Sequence, residues 1–302
     1  MKLIEPGYKI IKQEDNSLVG IKKFIERCAR VSYKSEDKIT DDSYEKFVDM
    51  LIKRGHYRPL EFGTVYLNFN ELDQTEPFQR FLYKEAEAKY SSNHWSRWND
   101  GFCTTNYRVI IENGWEKDLE YIDKFPGTDY SHRYTVHFVI DRGVMDEFRT
   151  HIGLSHIAES TRFCSYDKDK FDNQVSFIIP EYATDLVNWT LDGELNYDVM
   201  LKLDEMGRPI TKLMPLADEL MAGLMWAEQT YLRMIKKGAT PQQARSVLPL
   251  QTKSELISCG YWREWDNFFK LRTDKSAHPE ARRITVPLEK ELHQLMIDIE
   301  IV

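Results

Sequence analysis

DRGVMDEFRTHIGLSHIAESTRFCSY, residues 141–166, gathers His151, Ser155, Glu159, Ser160 and Arg162 into one short segment. Just upstream, residues 134–141 alternate, with Val136, Phe138 and Ile140 on one side, as a half-buried strand requires. Residues from Val144 to about Glu159 then read as a helix leaving that strand. On this reading Glu159, Ser160, Thr161 and Arg162 lie at a helix end and its exit turn, where backbone groups and short hydroxyls are free for a ligand. A second polar set, Arg245, Arg263, Asn267 and Arg272, follows near the C-terminus. Arginines and hydroxyls are poor core material, but they hold phosphates and polar rings well. The two regions together suggest a nucleotide-binding enzyme.

The whole composition suits a packed protein. Of 302 residues, 42% are hydrophobic, 30% charged and 13% aromatic, which argues against disorder. No apolar run approaches the roughly 20 residues of a membrane span. MKLIEPGYKI lacks the apolar core of a secretory signal, so a cytoplasmic location is expected. A formal net charge of −8 disfavours a nucleic-acid partner. It still permits small anions, because a local arginine cluster overrides global charge inside a cleft. Cys28, Cys103, Cys164 and Cys259 form no CxxC pair and no zinc-finger spacing. Free thiols in a reducing compartment are the expectation.

Along the chain, Thr40 and Gly55 punctuate a helix whose apolar face carries Tyr44, Phe47, Val48, Leu51 and Ile52. Residues 63–69 alternate as a strand, residues 107–112 are β-rich, and residues 175–179 read as a short strand stopped by Pro180. Residues 209–237 form an amphipathic helix, with Pro215 placed to kink or restart it. Thr240-Pro241 caps the next helix. Residues 262–272 are helical by period, and a last helix over 280–299 contains Pro287. No repeat or linker interrupts the chain. One α+β domain over residues 1–302 is expected, with an elaboration within 70–131.

Several chemistries lack their patterns. Ser155-His156 and Ser131-His132 have no GxSxG elbow. His151 and His156 make no HExxH, so no metal is expected. No GxGxxG or Walker loop is present. Arg263 and Asn267 share a helix face at i,i+4. Arg272, nine residues after Arg263, points the other way on a straight helix and joins that face only if the helix ends or bends.

The segment DRGVMDEFRTHIGLSHIAESTRFCSY resembles the signature region of the flavin-dependent thymidylate synthase family. There an arginine-histidine-arginine motif is followed by seven residues, then Ser-x-Arg and an aromatic. LPLQTKSELISCGYWREWDNFFKLRTDKSAHPEARR resembles the same family's C-terminal region, and YKSEDKITDDSYEKFVDMLIKRGHYRPLEFGTVYL its early part. The matches are colinear over most of the chain. The resemblance implies an α+β fold with a mixed or antiparallel sheet and long helices. It implies methylation of dUMP to dTMP with FAD, methylenetetrahydrofolate and NADPH, in a homotetramer whose sites several subunits share.

By resemblance, Glu147 is a substrate contact and residues 158–162, with Glu159, Ser160, Thr161 and Arg162, form the deoxyuridylate loop. Arg245 is a substrate arginine, and Arg272 is the catalytic arginine that polarises uracil. Thr64, His151, Arg263 and Asn267 fall on flavin-binding positions. Three positions depart from the pattern. The motif's arginines are Thr150 and Ile152 here, and Phe62 stands where a histidine is common. Arg149, a candidate substrate contact in place of position 150, lies one residue early, about 100° around a helix, and needs a long reach to take that role. These departures keep open a second reading, a member that binds nucleotide in a regulatory role without turnover.

Overall fold

The structure, a computed structural model, describes residues 1–168, 171–183 and 216–301. Its centre is an antiparallel pair of nine-residue strands, β6 (Arg133–Asp141) and β9 (Lys253–Tyr261). Strands β2 (Gly7–Ile11) and β7 (Ser155–Ala158) flank them, giving the order β2-β6-β9-β7 with every pairing antiparallel.

The sheet's alternation sorts side chains between two cores. Tyr134, Val136, Phe138, Ile140 and Leu256 face the helices Arg142–Phe148, Trp262–Arg272 and Pro279–Ile301. Trp265 is fully buried there, and its indole N–H donates to the Tyr134 carbonyl at 3.0 Å. Ile157, Ile257 and Cys259 face the other way, onto Phe24 and Cys28 of the helix Leu18–Arg30.

A second sheet follows the order β3 (Thr64–Asn68), β5 (Phe102–Asn106), β4 (Arg97–Asn99). With the helices Ser43–Lys53 and Pro77–Ser92 it encloses its own apolar core. β1 (Lys2–Ile4) pairs in parallel with β8 (Ser176–Ile178), and Leu3 and Phe177 pack beside the helix Leu216–Lys236. The result is a mixture of helices and mainly antiparallel sheet, an α+β arrangement. Among the described residues no helix is long and apolar enough to cross a membrane.

Three local readings of the sequence need revision. Residues 107–112 are not a strand but the helix Tyr107–Asn113. Asn106 caps it by accepting from the Val109 N–H at 3.1 Å, and Gly114 ends it at a φ of +69°. The expected helix from Val144 to Glu159 stops at Phe148, and the chain re-forms as β7. Gly153 permits the turn, since a Cβ there would lie 2.7 Å from the Glu264 side chain. Residues Glu159–Arg162 therefore follow a strand, not a helix. Strands β1, β2, β4, β5 and β9 and the helix Leu18–Arg30 were not anticipated. The expected start of the long helix, residues 209–215 with Pro215, lies outside the described residues.

Trp265 ties helix Trp262–Arg272 to β6, so Trp265→Ala should cost about 3–5 kcal/mol of stability. Urea unfolding of the two proteins measures that loss.

Candidate nucleotide-binding site

The catalytic candidate, Arg272, ends the helix Trp262–Arg272. The Thr285 hydroxyl donates to its carbonyl at 2.7 Å and pins the backbone. Its guanidinium donates from Nε to His151 Nε2 at 2.9 Å and from Nη1 to the Glu147 carboxylate at 2.7 Å. Nη2 donates to the Glu147 carbonyl at 2.8 Å and to the Thr150 hydroxyl at 3.1 Å. Thr150 itself donates to the Glu147 carbonyl at 2.7 Å. Asp141 fixes where the helix Arg142–Phe148, which carries Glu147, starts, its carboxylate accepting from the Val144 N–H at 2.9 Å. Arg149, beside the cluster, faces solvent 3.7 Å from Asp146. Ile152 is 89% exposed.

His151 accepts from Arg272, so its proton sits on Nδ1. Its ring lies edge-on to Phe268 at 4.8 Å. Burial, the Arg272 charge and His156 push its pKa down to about 4. His156 is also pushed down to about 4, mainly by burial. Its Nε2 donates to the His151 carbonyl at 3.0 Å, and its Nδ1 accepts from the Ser258 hydroxyl at 2.9 Å.

A second cluster lies beyond the opposite end of β7. The Ser160 N–H donates to the Ser32 carbonyl at 3.0 Å, which anchors the loop. Arg162 Nε donates to Gln242 at 3.0 Å, and Arg245 Nη1 donates to the Thr161 hydroxyl at 3.4 Å. Helix Pro241–Ala244, held by a capping box of Thr240 and Gln243, presents Gln242 and leads into Arg245. Glu159 turns inward. One carboxylate oxygen accepts from Lys253 at 2.7 Å, and the other is buried with no hydrogen-bond partner. Lys253 also reaches Glu255 at 2.5 Å, which further accepts from Lys34 at 2.7 Å and contacts His137 at 2.8 Å. Burial raises the Glu255 pKa, but the His137 hydrogen bond and the two lysines outweigh it and hold the carboxyl well below its usual range.

The flavin-position candidates separate. Thr64 lines a cavity of about 350 Å³ with Lys12, Lys124, His132, Arg133 and Tyr134. Arg263 lines an adjoining cavity of about 280 Å³, and the two share His132, Tyr134 and Ile299. Arg133 Nη1 donates to the Thr64 hydroxyl at 3.3 Å, and Arg133 forms no salt bridge among the described residues. Asn267 is exposed on its helix, while His151 belongs to the Arg272 cluster. Because the helix runs to Arg272 before ending, Arg272 and Arg263 serve different places, as their nine-residue spacing predicts for a straight helix. Arg133, Lys34, Lys253 and Glu255 were not singled out from the sequence. Each lies on a strand or turn where an isolated charge looks like surface. Among the described residues, no three His, Cys, Asp or Glu side chains are placed to hold a metal.

The profile of the thymidylate synthase complementing protein family matches residues 131–296, more than half of the chain. The chain belongs to this family. A curated relative, the flavin-dependent thymidylate synthase of Synechocystis sp., is 34% identical over 64 residues, which is 21% of this chain. The alignment spans 30% of that relative. The matched region holds the Arg272 cluster, the Ser160–Arg162 loop, Arg245 and Arg263. Thr64 lies outside it.

The two neutral histidines set an acid limit. Unfolded, each takes a proton as the pH falls through about 6.5; folded, each resists until about 4. The unfolded chain therefore binds more protons in that window, and stability falls with pH. The melting temperature should drop from about 6.5 toward about 4, and His156→Gln should flatten the drop. A pH series of thermal melts checks both.

Proposed function

We propose that this protein is a flavin-dependent thymidylate synthase that methylates dUMP reductively to dTMP. Methylenetetrahydrofolate would supply the carbon and NADPH would reduce the FAD. The supporting observation is Arg272, fixed by His151, Glu147 and Thr150 inside the region that matches the family. A rigid guanidinium beside a pyrimidine ring donates to a carbonyl and stabilises negative charge developing on it. Ser160, Arg162 and Arg245 offer a hydroxyl and two cations for the nucleotide's phosphate.

The residues around Thr64 and Arg263 fit a phosphate-bearing cofactor. Arg133 donates to the Thr64 hydroxyl, and Lys12 and Lys124 line the same cavity. Bound FAD would supply the reducing equivalents. Lys12, Lys124 and Arg133 would balance its phosphates, with Tyr66 and Tyr134 forming apolar walls.

β7 separates the Arg272 cluster from the Ser160–Arg162 loop by a strand of four residues, roughly 13 Å of chain. The family resemblance implies a homotetramer in which several subunits build each site, and residues from two copies would then meet one nucleotide. Its substrates are soluble small molecules, and the cytoplasm is where the reaction would run.

A second reading is favoured by Thr150 and Ile152. Neither can replace an arginine's charge, and each lost charge-assisted contact costs about 1.5–3 kcal/mol. A member that binds dUMP without turnover would follow. Complementation of a thymidine-requiring strain separates the readings. Growth, with a yellow purified protein, supports the enzyme; no growth from a colourless protein that binds dUMP supports the second reading.

Two further outcomes are expected for the enzyme. Light scattering should give a tetramer, and a persistent monomer would remove the shared site. Arg272→Ala should lower turnover far more than flavin occupancy, with Lys rescuing poorly because an ammonium lacks the planar fork. Equal losses would make Arg272 a cofactor or folding residue.

A further inference from the structure

The Arg272 cluster carries no net positive charge. Glu147 balances Arg272, while His151 is held neutral and Thr150 is uncharged. Arg149, beside the cluster, faces Asp146 of the preceding turn. An arginine offers five N–H donors, and four hydrogen bonds already engage this guanidinium. An incoming acceptor thus meets a guanidinium that is both bonded and neutralised.

The four bonds have unequal roles. Three of them, to the Glu147 carbonyl, the His151 ring and the Thr150 hydroxyl, are neutral acceptors, and they orient the guanidinium. Only the bond to the Glu147 carboxylate supplies charge. The Glu147 side chain is 35% exposed against 18% for Arg272, so the carboxylate is the partner with solvent to move into.

We propose that Glu147 is a built-in counter-ion whose bond to Arg272 the ligand's ring carbonyl must displace. The inference rests on the dUMP reading for its ligand, though the Glu147–Arg272 contact stands without it. Glu147→Gln keeps an acceptor in the same place and removes the charge. Arg272 should then keep its position but lose its neutralising partner.

The experiment uses the full chain with two probes. The first is phenylglyoxal, which modifies accessible guanidiniums, with the rate at Arg272 followed by peptide mass spectrometry and exposed Arg162 as internal reference. Glu147→Gln and Glu147→Ala should speed modification of Arg272 several-fold, leave Arg162 unchanged and keep the wild-type circular dichroism. The second is calorimetric titration with dUMP, where Glu147→Gln should bind about tenfold tighter, the scale of one charge-assisted contact.

An unchanged Arg272 rate in both variants overturns the proposal, because a purely structural Glu147 would not screen the guanidinium. Faster modification with equal dUMP affinity also overturns it, since Arg272 would then not meet the ligand. If no variant binds dUMP while Arg272 still reacts faster, the counter-ion stands and the dUMP reading falls.

Discussion

The nine-residue pairing of β6 with β9 holds the molecule's functional parts in one register. Asp141 lies opposite Lys253, and Arg133 opposite Tyr261. The C-terminal end of each strand continues directly into a helix of the candidate site. Asp141 starts the helix that delivers Glu147, and Tyr261 precedes the helix that delivers Arg272. With the ladder in register, those two helices meet and the guanidinium closes on the carboxylate. A slip of one residue would turn Phe138 and Leu256 away from their core and separate the helices.

Opposite charges are paired at both ends of β7, Arg272 with Glu147 at one and lysines with glutamates at the other. At the Glu159 end, Lys34, Lys253, Glu159 and Glu255 form a half-buried network that turns its charges on each other. Such a network adds less to stability than its distances suggest, because desolvation offsets the attraction. Its consequence is order: Lys253 ties Glu159 and Glu255 together at the point where the chain leaves β7 for the Ser160 loop. Beyond it, among the described residues, Arg162 and Arg245 hydrogen-bond to the neutral Gln242 and Thr161.

The altered motif has a local physical outcome. Thr150 joins the ring of acceptors around Arg272, where a motif arginine would place a second cation against the first. Ile152 points its apolar surface to solvent next to the same turn. Thr150 and Ile152 add no charge to this edge, and Glu147 balances Arg272.

Local patterns were legible wherever short-range physics controls them. Alternation in Val136, Phe138 and Ile140 marked β6, helical spacing marked Ser43–Lys53 and Trp262–Arg272, and Thr240-Pro241 announced its capping box. The separation of Arg272 from Arg263 also followed from spacing alone. What failed depended on partners far along the chain. β9 is buried on both faces, so it lacks the alternation that marks a strand. β7 has four residues and exists because β9, about a hundred residues later, offers its edge. Tyr107–Asn113 carries β-prone residues, yet an asparagine cap and packing made it a helix. The sequence by itself determined the residue types of the site and their grouping into two regions. Only the tertiary structure decided which charges meet, because ion pairing needs a few ångströms of approach that no spacing along the chain encodes.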